Sequence, residues 1–451
     1  MNGSYTRFLD SIEQVDPIPA CGRVSQAIGL VVEGSATTSA IGEVCEISPL
    51  GRGKRLLAEV VGFREDKILM MPLGELSGIG PGSAIINKGA QATAPVGNGL
   101  LGRVIDGLGN PLDGKGPLDV RDNHPLYVSP PNPLERQRIT QPLDLGIRTL
   151  NGLLTCGRGQ RMGIFAGSGV GKSVLLGMIA RYTAADVNVI ALIGERGREV
   201  KEFLEKDLKE EGVKHSVVIV ATSEQAPLIR RRGAFLAKAI AEYFRDQGLQ
   251  VLLMMDSLTR FAHAQREIGL AIGEPPTTKG YTPSVFALLP KLLERAGTAS
   301  NDGTITGLYT VLVEGDDMND PIPDAVRAIL DGHIVLSREI AAQNQYPAID
   351  VLNSTSRVMI DIVDPGHLSD ARRLTDMAAT YKSAEDLIHI GAYKSGTSAK
   401  IDEAIARRDE IQSYLRQGID EQADFDGSVR DLHSLFERSQ HHQKGLIPKN
   451  K

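Results

Sequence analysis

The chain has 451 residues, a formal net charge of −6, and 41% hydrophobic and 24% charged residues, a composition that suits a soluble globular protein with room for about three domains. That balance gives no general pull toward nucleic acid, and 4% aromatics without a single tryptophan leave little from which to build base-stacking platforms. Cys21, Cys45 and Cys156 are widely spaced and form no C-x-x-C pair, so neither a disulfide framework nor a zinc site is indicated. The amino terminus lacks the features of a secretion signal, and no run approaches the ~18 apolar residues of a membrane span; the expectation is a cytoplasmic protein, at most peripheral to a membrane.

Tyr5, Phe8, Leu9, Ile12 and Val15 recur at three- and four-residue spacings, which predicts a short amphipathic helix that Pro17 and Pro19 separate from the rest of the chain. Residues 1–20 therefore read as an arm, suited either to packing on its own domain or to docking a partner. From 21 to 92 the texture changes to short apolar runs punctuated by glycine, such as Ile28-Gly-Leu-Val-Val, Ala58-Glu-Val-Val-Gly-Phe and Lys67-Ile-Leu-Met-Met-Pro-Leu. That is the pattern of a small β-barrel, and with no polar constellation in it an assembly role is expected. Residues 93–150, rich in Gly, Pro and Asp, read as a connecting collar in little regular structure.

Further on, apolar strands at 162–165, 187–193, 216–221, 250–255, 308–313 and 333–336 alternate with helical segments at 199–211 and 228–246. This argues an α/β core, to about residue 364, on a mostly parallel sheet whose carboxyl edges carry the ligand site. Helical segments at 368–385 and 399–416 then predict a helical domain over 365–451, with the basic tail from His441 frayed.

The chemistry concentrates after the strand at 162–165. Ala166-Gly167-Ser168-Gly169-Val170-Gly171-Lys172-Ser173-Val174 is a glycine-rich turn between a strand and a helix. Its glycines let backbone N–H groups cradle phosphate oxygens, Lys172 can reach the β/γ-phosphates, and the Ser173 hydroxyl can ligate Mg2+. The strict pattern has Gly at position 166, and Ala is a small departure from it. Glu195 follows the strand 187–193 and is placed to orient an attacking water, with Arg196 a candidate phosphate contact; in isolation such a pair is more often a surface ion pair. Asp256 ends an apolar strand, as a magnesium-site acid does, although a strand-end Asp can equally cap a turn. Arg260 can read the γ-phosphate or pair with a surface acid. Tyr346 offers a flat face for an adenine ring. Arg357, in the Ser/Thr turn Ser354-Thr-Ser, is a loop-stabilising donor or an arginine finger acting in trans.

Together these motifs, with Leu101-Gly-Arg-Val-Ile-Asp-Gly-Leu-Gly-Asn-Pro-Leu-Asp-Gly, Gly194-Glu-Arg, Tyr346-Pro-Ala-Ile-Asp and Ser354-Thr-Ser-Arg in that order, resemble the catalytic β-type subunits of rotary ATP synthases from about Cys21 onward. Within that superfamily, the wording at 165–182, Gly194-Glu-Arg-Gly-Arg-Glu-Val-Lys-Glu-Phe and Arg266-Glu-Ile-Gly-Leu-Ala-Ile-Gly-Glu-Pro-Pro is similar to the type III protein-export ATPases, most of all the flagellar branch. The resemblance implies a RecA-like P-loop core flanked by an N-terminal β-barrel and a C-terminal helical domain, in a homohexamer with ATP and Mg2+ at subunit interfaces. It also implies a place at the cytoplasmic face of an export gate, where substrate–chaperone complexes arrive, with a regulatory stator-like protein on the arm. Lys172, Ser173, Glu195 and Asp256 carry over as phosphate, magnesium, water-activating and magnesium-site residues. Arg357 carries over as the finger, and Tyr346 as an adenine contact; Phe425, in Ala423-Asp-Phe-Asp-Gly, is a further adenine candidate.

The injectisome branch and a rotary synthase subunit are the alternatives within the superfamily. Glu195 and Arg357 in one chain favour a ring of identical copies over the synthase. A hexameric RNA translocase is disfavoured by the acidic balance and the absence of an aromatic strip. A non-hydrolysing structural subunit would have lost Lys172 or Glu195, and both are present.

Overall fold

A computed structural model describes residues 21–35, 39–51 and 53–444; the predicted amphipathic arm lies outside them, as does the tail beyond Lys444. The first unit is a closed antiparallel barrel of β1 (Cys21–Ile28), β2 (Val31–Ser35), β3 (Glu43–Ile47), β4 (Leu56–Arg64), β5 (Lys67–Pro72) and β6 (Ala84–Gln91), in the order β1-β2-β5-β4-β3-β6. Val24, Val32, Ile47, Val60, Ile68, Met70 and Ile85 fill it. The run Ile28-Gly-Leu-Val-Val is not one strand. It breaks at Gly29, whose φ of 57° makes the tight turn that folds β2 back on β1.

The predicted collar contains more regular structure than its composition suggested. β7 (Thr93–Val96) and β9 (Asp122–Pro125) form a two-stranded ribbon, and β8 (Arg103–Asp106) is the edge strand of the central sheet. Its glycines and aspartates make turns around that strand: Asp106 accepts from the N–H groups of Leu108 and Asn110, and Asp113 takes a two-pronged bond from Arg103.

The central sheet continues with β10 (Arg161–Ala166), β11 (Val187–Ile193), β12 (Ser216–Ala221), β13 (Gln250–Asp256), β14 (Gly297–Thr298), β15 (Thr304–Leu312), β16 (Gly332–Leu336) and β17 (Ile349–Ser356). Its order is β17-β16-β10-β15-β13-β11-β12-β8, parallel throughout except for β17 at one edge and the short β14 beside β15. Helices cover both faces, so strands such as β11 read as unbroken apolar runs. The two-residue period still sorts their side chains: Val187, Val189, Ala191 and Ile193 enter one core, Ile190 and Leu192 the other. Ser354-Thr-Ser, which the sequence predicts as a turn, is the end of β17, where Thr355 and Ser356 pair with β16 and the Ser354 hydroxyl, at a register shift, accepts from Val335 N–H.

The helix expected at 199–211 spans Gly197 to Lys214 in three pieces, with a π-helical turn at Phe203–Leu208 and a break at Lys209, whose φ is 56°. The last three long helices, Pro365–His389, Ala399–Leu415 and Phe425–Lys444, form the expected helical unit, and the last extends to Lys444, past the predicted start of fraying at His441. The barrel is pinned to the core by Glu59, fully buried, which accepts from Tyr127 Oη at 2.9 Å, Arg231 at 2.7 Å and Arg232 at 3.2 Å.

Candidate active site

β10 delivers the chain to the glycine-rich turn at the carboxyl edge of the sheet. Ala166 is its last residue, buried and hydrogen-bonded in register with Leu312 and Leu336, so this position uses ordinary strand geometry that tolerates a methyl group. The positive φ falls on Gly169 (79°) and Gly171 (86°) instead. Gly167 lies under the Arg338 side chain, whose guanidinium would have to move aside for a Cβ there, 2.6 Å away. Val170 tucks into the core, while Ser168 and Gly169 are exposed. The helix Lys172–Tyr182 starts directly from Gly171 with no side-chain cap, leaving its first N–H groups and positive dipole end directed at the loop. Ser173 is exposed in that first turn, with Val174 half-buried behind it.

Lys172, Glu195 and Asp256 meet beside this loop because β10, β13 and β11 lie close together in one parallel sheet. Lys172 Nζ donates to Asp256 Oδ1, which also accepts from Thr310 Oγ1 at 2.6 Å, and lies 3.8 Å from Glu195 Oε1. Glu195 Oε1 is buried without a hydrogen-bond partner among the described residues. Burial and the neighbouring Asp256 push the Glu195 carboxyl up to about 7, against the pull of Lys172. Glu199, one turn along, is held below the usual range chiefly by the hydrogen bond it accepts from Glu195. Burial pulls Lys172 down, but Asp256 and Glu195 outweigh it and the net shift is upward, so this lysine stays charged.

Arg260 is brought against the same strand end: a Cβ on Gly194, which has φ of 72°, would lie 2.6 Å from its Cβ, and its buried Nε has no hydrogen-bond partner among the described residues. Arg196 points to solvent, 77% exposed, in a 3.5 Å ion pair with Glu199. Tyr346 lies on the other side of the loop, its ring 3.5 Å from where a Cβ of Gly171 would be. It lines a cavity of about 690 Å³ together with Arg148, Gln412, Arg416, Gln417, Gly418 and Glu421. Phe425 does not line that cavity. Its N–H is tied to Asp144 at 3.0 Å as the last helix begins, and its ring packs edge-on to His367.

Arg357 is exposed and far from the loop of its own chain. Ser356 pairs with Gly332 at the start of β16, and Arg357 N–H donates to Asp331 O at 3.1 Å. It therefore sits at the amino ends of the parallel strands, whereas the phosphate loop leaves their carboxyl ends. Six-residue β10 spans the difference, roughly 16 Å at ~3.3 Å per residue.

Thr310, Arg338 and the 416–421 loop are site residues that the sequence reading did not single out. They come from distant segments with no motif of their own, and only the fold places them together.

The nucleotide-binding domain model of the ATP synthase alpha/beta family matches residues 146–356, and that family's beta-barrel domain matches 24–89. The T3SS EscN ATPase C-terminal domain matches 363–434. The chain is 55% identical over 431 residues to the flagellum-specific ATP synthase of Bacillus subtilis, covering 95% of this chain and 98% of that protein. It is 51% identical over 414 residues to the type 3 secretion system ATPase of Xanthomonas euvesicatoria, covering 92% and 93%. Among solved structures it is similar to the assembled ATPase EscN of the enteropathogenic E. coli type III secretion system, with a TM-score of 0.85 and 46% identity over 92% of this chain and 99% of that one. A second structure of EscN, in complex with its central stalk EscO, matches equally well.

Proposed function

Because the chain belongs to the ATP synthase alpha/beta family, in the group that holds the flagellum-specific and type III secretion ATPases, we propose that it works as a ring of six identical copies. In this reading the ring hydrolyses Mg-ATP to drive flagellar protein export, with Arg357 of one copy completing the site of the next. The enzyme is an ATP-hydrolysing one; the ring, the export gate, a stalk or stator partner and a peripheral cytoplasmic location are the proposal. The observation that carries it is the separation of Arg357 from its own phosphate loop. An exposed cation at the opposite end of the sheet cannot serve the loop of its own chain, yet it is available to a neighbour.

The loop N–H groups and Lys172 bind the β- and γ-phosphates and hold the terminal phosphorus in place. Glu195, beside them at the strand end, orients a water and receives its proton as the new P–O bond forms and the bond to ADP breaks. Arg260 and the neighbour's Arg357 hold the charge that builds on the γ-phosphate oxygens, and Tyr346 seats the adenine against the loop. Arg196 lies outside this arrangement unless nucleotide draws it from Glu199, and Phe425 contributes at most from behind the cavity wall. The Ser173 hydroxyl and the Asp256 carboxylate are hard oxygen donors facing the same loop, a set that fits Mg2+ completed by phosphate oxygens and water. When bound, that ion neutralises phosphate charge.

Mixing separates this reading from a self-contained site. Lys172→Ala and Arg357→Ala proteins should each lose turnover, an arginine finger supplying about 10³–10⁵ in rate. Mixed rings should regain part of it, because some interfaces pair an intact loop with an intact finger. Mixed rings that form and stay inactive would place Arg357 outside the neighbouring site. In cells, replacing the protein with its Glu195→Gln form should abolish flagella; intact motility with loss of another secretion route would favour the injectisome branch.

A further inference from the structure

The wall of the Tyr346 cavity is a loop, residues 416–423, between two helices of the C-terminal unit, and it is tied to the ATPase core on two sides. On one side, buried Gln417 accepts from Arg148 N–H at 2.8 Å and donates to Gly146 O at 2.9 Å and Glu421 O at 2.7 Å. Its own N–H donates to Tyr346 O at 2.9 Å. On the other side, Arg181 sits in the last turn of the phosphate-loop helix with its side chain only 2% exposed. One guanidinium nitrogen donates to Ile419 O at 2.7 Å, and another donates to Asp207 O in the π-helical turn beyond Glu195. Lys209, just past that turn, bonds Asp420 at 2.6 Å, and Asp420 lies 3.8 Å from Arg181. One buried arginine thus joins three segments: the helix that starts at the phosphate loop, the helix that starts behind Glu195, and the loop that walls the base cavity.

A π-turn and a loop leave backbone carbonyls without partners of their own, and a planar guanidinium with diverging N–H groups can satisfy two at once. A lysine can reach either but has no fixed fork. We infer that Arg181 is a positioning residue for base recognition: it fixes the 416–421 wall at one distance from the phosphate cradle, so that adenine and phosphates are gripped by a single rigid unit. This rests on the placement of adenine at Tyr346 given above.

The test compares a ligand that uses both halves of the site with one that uses only the phosphate half. With the full-length assembled protein, the KM and kcat for ATP and the competitive inhibition constant of pyrophosphate are measured for wild type, Arg181→Ala, Arg181→Lys and Tyr346→Ala. Arg181→Ala should raise KM for ATP roughly tenfold with kcat changed less than about threefold, the pattern of lost ground-state binding, and should leave the pyrophosphate constant within about twofold. Arg181→Lys should fall between it and wild type, and it carries the test in the same direction if the alanine variant does not fold. Equal weakening toward ATP and pyrophosphate would mean that Arg181 acts through the phosphate loop and would overturn the inference, as would no change in either. Tyr346→Ala distinguishes the two levels. If it too leaves KM for ATP unchanged, adenine is seated elsewhere; if it raises KM while Arg181→Ala does not, only the role of Arg181 fails.

Discussion

Glu195 owes its character to its burial and to two charged neighbours, Asp256 and Lys172. Burial and Asp256 favour the protonated form, Lys172 opposes them, and the balance puts the carboxyl at about 7. Its affinity for a proton is thereby raised from the ordinary carboxylate range into the range where a group can accept one during turnover and release it again. The sign is definite: below about pH 7 the free enzyme carries Glu195 protonated and unable to take a proton from water. The kcat/KM for ATP should therefore climb as pH rises through about 7 and level off above it. Glu195→Gln should remove that limb and lower kcat by about 10²–10⁴ while nucleotide still binds. A variant that keeps the limb would show that another group titrates. The sequence placed Glu195 after a strand, but its neighbour across the sheet, Asp256, is 61 positions away, and the partner of that aspartate, Thr310, is further still. A motif marks who is present at the sheet edge; burial, which sets the proton affinity, is a property of the folded site.

The element that carries Glu195 onward is held against the phosphate-loop helix by a glycine. A Cβ on Gly177 would lie 2.6 Å from Asp207 Cβ and 2.7 Å from its backbone carbonyl, so the π-helical turn and the helix touch through backbone. In an exposed helix Gly→Ala would stabilise by about 1 kcal/mol, but overpacking against a backbone that cannot step aside costs about 1–3 kcal/mol. Gly177→Ala should therefore lower the urea midpoint with an unchanged slope, a net loss of up to about 2 kcal/mol. An unchanged or raised midpoint would show that the π-turn yields easily. At this scale the sequence was readable where periodicity is local. The helices at 227–246, 365–389 and 399–415 and the strands of the parallel sheet follow their apolar spacing closely. It was unreadable where an element exists only through its partner: β8 has four residues in a stretch rich in turn formers and becomes a strand because β12 pairs with it. The π-turn has the composition of any charged helix, and its extra residue per turn shows only against Gly177 and Arg181.

For the whole molecule, the proposed reading, in which Arg357 of one copy completes the site of the next, gives a solitary chain every part of a site and yet no complete one. ATP turnover per chain should accordingly rise with protein concentration across the range where larger species form, and Arg357→Ala should flatten the curve without altering the assembly seen by sedimentation. Turnover proportional to concentration down to the monomer would show that each chain works alone.

A protein that, as proposed, stands beside copies of itself must also avoid joining them in the wrong way, and its strand edges are where that would begin. The barrel is closed among the described residues, with β1 paired to both β2 and β6. The outer side of β8 is occupied by its own chain, where Leu112 N–H donates to Val104 O at 2.8 Å and Pro111 bridges Ile105. On β17, the N–H groups of Leu352 and Asn353 are taken by the Asp350 carboxylate at 3.0 and 3.1 Å. At these edges, among the described residues, a neighbouring copy would thus meet few free backbone groups to zip onto, which disfavours fibrous pairing.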